Sequence, residues 1–125
     1  MGLVRKEIQI NASKERVFKA LTDPFEIENW SGAPVEMDRL CQGRFSLWGG
    51  SIVGINLSVS PERIEQKWKE SRWGTFSNLI FEITDQHHGT LLKLIHYNVP
   101  ESSLTEIEKG WDDYYLMPIK SYLEL

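Results

Sequence analysis

Only one cysteine, Cys41, occurs in the 125 residues, so no disulfide can form within the chain and the thiol suits a reducing compartment. No apolar run approaches the roughly 20 residues that span a bilayer. The N-terminal Met1-Gly2-Leu3-Val4-Arg5-Lys6 lacks the apolar core of a signal peptide, and Lys6 stands where a myristoylation signal carries Ser or Thr. Cytoplasmic residence without a membrane span is therefore expected. A basic excess is also missing. The 14 Lys and Arg are outnumbered by 18 Asp and Glu, leaving a net charge of -4, and the cations are scattered, which argues against a nucleic-acid partner. Neither Gly49-Gly50 nor any other glycine pair has a phosphate-cradling pattern, and no cofactor is expected. There is no repeat or low-complexity stretch.

With 41% hydrophobic and 26% charged residues the composition is that of a folded globular chain. Its length predicts one domain over residues 1–125 around a single core. Val4 to Ile10 alternates like a half-buried strand. Ser13 is a good helix N-cap ahead of the apolar stripe Val17, Phe18, Ala20 and Leu21, and Asp23-Pro24-Phe25-Glu26 starts a second short helix. From Pro34 to Val99 the pattern predicts strands near 34–38, 44–48, 51–59, 63–70, 76–84 and 90–98. Ser103-Leu104-Thr105-Glu106 reads as a capping box that opens a last helix with the apolar stripe Leu104, Ile107, Trp111, Tyr115, Ile119 and Tyr122. Pro118 predicts a kink, either to follow a curved sheet or as a hinge. The order is strand, two helices, six strands, long helix: an α+β chain in which a curved, seven-stranded antiparallel sheet wraps the C-terminal helix.

Three segments carry a resemblance: Val17-Phe18-Lys19-Ala20-Leu21-Thr22-Asp23, Lys67-Trp68, and Gly110-Trp111-Asp112-Asp113-Tyr114-Tyr115-Leu116-Met117-Pro118-Ile119-Lys120. With them the chain resembles the helix-grip (SRPBCC) domains of the START superfamily, which includes birch-pollen allergens and polyketide cyclases. Within that superfamily it is similar to the C-terminal domain of the activator of 90 kDa heat shock protein ATPase, the AHSA-like family. The resemblance implies the helix-grip fold and a heat-shock chaperone as partner. The eukaryotic co-chaperones carry a further N-terminal domain, for which 125 residues are expected to leave no room.

Alternation assigns Phe45, Leu47, Ile64, Gln66, Trp68, Ser77, Leu79, Phe81, Ile83, Leu92, Leu94, His96 and Asn98 to the inner face of the sheet. The candidate cavity wall is Trp30, Phe45, Gln66, Trp68, Leu79, Phe81, Leu92, Leu94, His96, Trp111 and Tyr115. These residues describe either a filled core or a chamber for a small apolar ligand. No catalytic residue is assigned, because His96 has no inward Asp or Glu partner for acid-base work. A cyclase or hydrolase would have to use His96 with Gln66 or Tyr115. His87 and His88, with Asp85 close by, are too few and too local for a metal site, and Asp112 and Asp113 read as solvated. Val53, Ile55 and Leu57, and separately Leu91, Ile95 and Tyr97, have outward parity, which predicts a partner or self-association surface. Three readings follow: a non-enzymatic chaperone accessory, a carrier or sensor of a small apolar ligand, and a cavity enzyme.

Overall fold

The computed structural model describes residues 2–37 and 43–124, so Cys41 lies outside the described residues. Strand β1 (Gly2–Ile10) is followed by α1 (Lys14–Thr22) and α2 (Pro24–Ser31). Both helices begin as their caps predict. The Ser13 hydroxyl accepts from the amide of Arg16, and the Asp23 carboxylate from that of Phe25, with Pro24 in the first turn where its missing N–H costs nothing. Strands β2 (Val35–Met37), β3 (Arg44–Leu47), β4 (Ile52–Val59), β5 (Arg63–Glu70), β6 (Ser77–Gln86) and β7 (Gly89–Val99) complete one antiparallel sheet, ordered β1-β7-β6-β5-β4-β3-β2. The chain closes with a 3₁₀ turn (Glu101–Ser103), α3 (Leu104–Gly110), a π-helical segment (Trp111–Leu116) and α4 (Met117–Leu123). The seven-stranded sheet and C-terminal helix make this an α+β helix-grip fold.

The last helix is held to the sheet by a stripe spaced in strict fours: Ile107, Trp111, Tyr115, Ile119 and Leu123, all buried. In a regular α-helix each step of four overshoots a turn by about 40°, so the stripe would wander off one face. The wider i→i+5 turns of the π segment absorb that drift; the amide of Met117 bonds the carbonyl of Asp112. The same widening lies directly before Pro118, which sits in the first turn of α4. The expected capping box does not form. Ser103 already has helical dihedrals (φ −104°, ψ −5°) because the 3₁₀ turn precedes it, and its hydroxyl accepts instead from Trp73 Nε1 at 3.2 Å. Glu106 turns outward to Arg72.

The inner-face assignment holds except at one position. Asn98 takes the left-handed conformation (φ 61°), β7 skips it in pairing with β1, and its side chain bonds Asn78 on the outside at 2.8 Å. Val99 fills the buried place. Gly54 faces inward under the Phe45 ring, its cross-strand partner, where an added Cβ would overlap that ring and the carbonyl oxygen of Lys67. Gly54→Ala should therefore lower stability by about 2–4 kcal/mol, because β5 backbone cannot yield as a flexible side chain would. Urea unfolding checks this; a near-zero change would mean that Phe45 and β5 move aside freely.

The two outward apolar strands do not form one patch. β5 and β6 separate β4 from β7, and in register Lys67 and Asn78 stand between Ile55 and Tyr97.

Candidate functional site

An aromatic wall runs between sheet and helix. The Trp68 ring lies 5.8 Å from Trp73 and 5.6 Å from Trp111; Trp111 lies 4.6 Å from Tyr115, which meets Trp30 edge-on at 4.9 Å. Phe81 stacks on Tyr115 at 5.9 Å, and Trp48 approaches Tyr115 at 6.2 Å. Offset and edge contacts of this kind add to what burial alone contributes.

His96, wholly buried behind Trp68 and Trp111, is tied at both ring nitrogens. Trp111 Nε1 donates to Nδ1 at 3.0 Å, and Nε2 lies 2.7 Å from the Ser77 hydroxyl, which bonds the Trp68 carbonyl. An indole N–H can only donate, so Nδ1 must be the acceptor and Nε2 carries the proton. Burial pushes the imidazole down from 6.5 to about 3 and keeps it neutral. The chain Trp111, His96, Ser77, Trp68 thus fastens the π segment to β7, β6 and β5. Burial likewise pushes the Tyr115 hydroxyl up, so it stays protonated. Gln66 is absorbed in the same way, its amide donating to Asn56 Oδ1 at 2.9 Å in the core.

The open space lies to one side of these residues. A pocket of about 380 Å³ is floored by Ile52, Ile107, Trp68, Trp111 and Tyr115, walled by Trp48 and rimmed by charged residues including Glu70, Glu106, Lys109 and Asp113. Arg72 bridges Glu70 and Glu106 at 2.9 and 3.2 Å and braces that rim. Of the five tryptophans, Trp30 donates to the Ala20 carbonyl, Trp73 to Ser103 and Trp111 to His96. The buried Nε1 atoms of Trp48 and Trp68 have no hydrogen-bond partner among the described residues, and both tryptophans line this pocket. An unmet buried donor costs about 1–3 kcal/mol, and both nitrogens are shielded from the pocket by the atoms around them.

All eleven candidate wall residues are buried, yet only Trp68, Trp111 and Tyr115 line the pocket. Phe45 covers Gly54, Leu79, Phe81, Leu92 and Leu94 pack the core, and Trp30 borders a neighbouring depression with Trp48 and Pro118. Sequence reasoning passed over Trp48, which follows β3 in a left-handed turn (φ 57°) and precedes Gly49 and Gly50, also at positive φ. That pair of glycines was the available signal: it marks a turn that breaks strand parity and swings Trp48 out of register. Asp112, read as solvated, ion-pairs with Lys6 of β1 at 2.9 Å. Among the described residues no three His, Cys, Asp or Glu side chains gather as a metal site, and no helix is long and apolar enough to cross a membrane.

The sheet, its gripped helix and the pocket between them define a helix-grip domain of the START type. The family model described as "Activator of Hsp90 ATPase homolog 1-like protein" matches residues 11–124, and the chain belongs to that family. A crystal structure of an HSP90 activator from Plasmodium falciparum is 28% identical, with a TM-score of 0.92, over 97% of this chain and 95% of that one. The activator of 90 kDa heat shock protein ATPase homolog from Dictyostelium discoideum is 29% identical over 118 residues, 91% of this chain and 28% of that protein. Homolog 1 from Mus musculus is 24% identical over 111 residues, 86% of this chain and 33% of that protein. The chain thus spans about a third of the length of these curated relatives. A Mesorhizobium loti protein, 22% identical with a TM-score of 0.85 over 98% of this chain and 96% of that one, shares the fold.

Proposed function

We propose that residues 1–125 act as a non-enzymatic binding domain, an accessory to a 90 kDa heat-shock chaperone working in the cytoplasm. The observation that carries this reading is the likeness, nearly end to end, to the Plasmodium falciparum HSP90 activator. The chemistry of the core agrees with it: His96, the inward group best suited to proton transfer, has both nitrogens committed to neighbours and sits behind the pocket wall. The purified chain, added to a 90 kDa heat-shock chaperone, should co-sediment with it and raise its ATPase rate severalfold. Neither association nor stimulation would end this reading.

The aromatic-lined pocket favours a second role in the same molecule, retention of a small, flat, largely apolar ligand against Trp48, Trp68, Trp111 and Tyr115. Titration with 9-fluorenone should quench tryptophan fluorescence, and Trp48→Ala, which removes a half-buried wall of the pocket, should weaken binding about tenfold, the equivalent of one lost aromatic contact. Absence of quenching, or an unchanged affinity in the variant, would remove the ligand role.

A further inference from the structure

The convex face of the sheet carries a cationic row whose sign opposes that of the chain. Strand register places Arg44, Ile55, Lys67, Asn78, Tyr97 and Leu3 side by side across six strands. Next to this row, Val53 pairs with Lys69, whose ammonium lies 5.7 Å over the Phe76 ring. On the other side Arg5 pairs with Ile95. Arg5, Arg44 and Lys67 are exposed, and among the described residues none of the three has a carboxylate partner. Farther along the same face the row Arg63, Glu82, Lys93, Glu7 alternates in sign and neutralises itself. The contrast matters because the whole chain bears a net charge of -4, so an unbalanced cationic end concentrates attraction in one place.

That end is also the one with relief. A depression of about 420 Å³ is lined by Val53, Ile55, Phe76, Gly54, Arg44 and the carboxylate-bearing Glu36, among others. Leu3, Phe76 and Tyr97 are 50%, 38% and 37% exposed, large apolar side chains with water over them. Apolar floor and flanking unpaired cations together suit a partner segment with one apolar anchor between carboxylates.

We propose that this face docks an acidic segment of a protein partner, an apolar side chain entering the depression and carboxylates meeting Arg44 and Lys67. It deepens the accessory reading by naming the surface and the chemistry of its partner.

A fluorescein-labelled peptide, Glu-Asp-Glu-Trp-Glu-Asp-Glu, titrated into the purified chain should bind and lose affinity as salt rises. The double variant R44E/K67E should weaken it at least tenfold, whereas R16E/K19E on α1, with the same net charge, should change it less than twofold. Equal loss in both variants, no binding by the native chain, or tighter association with phosphatidylserine vesicles than with the peptide would overturn the proposal. The native chain and R44E/K67E are also compared for chaperone stimulation. Stimulation that survives R44E/K67E overturns the docking face and leaves the accessory reading standing. Peptide binding that R44E/K67E abolishes, in a native chain that never stimulates the chaperone, supports the face and removes the accessory reading.

Discussion

Trp111→Ala is expected to lower the free energy of unfolding by about 3–5 kcal/mol, the range for truncating a buried aromatic. Trp111 packs against Trp68, Phe81, His96 and Tyr115 and donates to His96 Nδ1, so its loss opens a cavity and strips the imidazole of the donor that sets its tautomer. Trp111→Phe separates the two effects. It keeps most of the ring contacts and removes only the N–H, for an expected loss of about 1–2 kcal/mol. Urea denaturation of the three proteins tests this. An alanine variant as stable as the phenylalanine variant would mean that the π segment repacks around the gap and that the aromatic wall is not a fixed unit.

Acidification should have the second large effect. A histidine of the unfolded chain titrates near 6.5, while His96 in the fold resists protonation until about pH 3. Between those values the unfolded state binds a proton that the folded state does not, so stability falls as pH drops from 6.5 towards 3 and gains nothing from this group above 6.5. The slope contributed is at most about 1.4 kcal/mol per pH unit, or about 2 kcal/mol between pH 6.5 and 5. His96→Gln removes the titrating group. The wild-type protein should therefore lose about 2 kcal/mol more than this variant when urea unfolding is compared at pH 7.5 and pH 5, by the same proton linkage. Parallel losses would show that His96 protonates freely in the fold and that its two hydrogen bonds do not hold it neutral.

Both predictions rest on the meeting of helix and sheet, where the sequence was legible in outline and opaque in detail. The stripe from Ile107 to Ile119 was readable because apolar residues recur every three or four positions. That the steps are uniformly four, and require π turns, becomes meaningful only when the helix is seen lying on one face of the sheet. Ser103 shows the limit more sharply. Its local pattern is that of a capping box, but Trp73, 30 residues away, supplies a donor from the core and a 3₁₀ turn has already made Ser103 helical. A long-range bond displaced the local one. Asn98 failed for a related reason, since alternation assumes a regular ladder and β7 has a bulged, left-handed residue there.

What the residues determined by themselves are the features that depend on neighbours in the chain: the two helix caps at Ser13 and Asp23, the strand faces from Phe45 to His96, and the motif around Gly110 to Lys120 that carries the family likeness. What only the tertiary structure decided are the features that depend on residues far apart being brought together. Three tryptophan N–H groups find acceptors 10, 30 and 15 positions away, and two find none among the described residues. The inner-face residues are buried between sheet and helix, and an open pocket lies beside them. Cations scattered through β3, β5 and β1 gather on one face because strand register aligns them. Period and propensity act over a few residues, whereas hydrogen-bond satisfaction and surface charge are set by the pairing of strands and the seating of one helix.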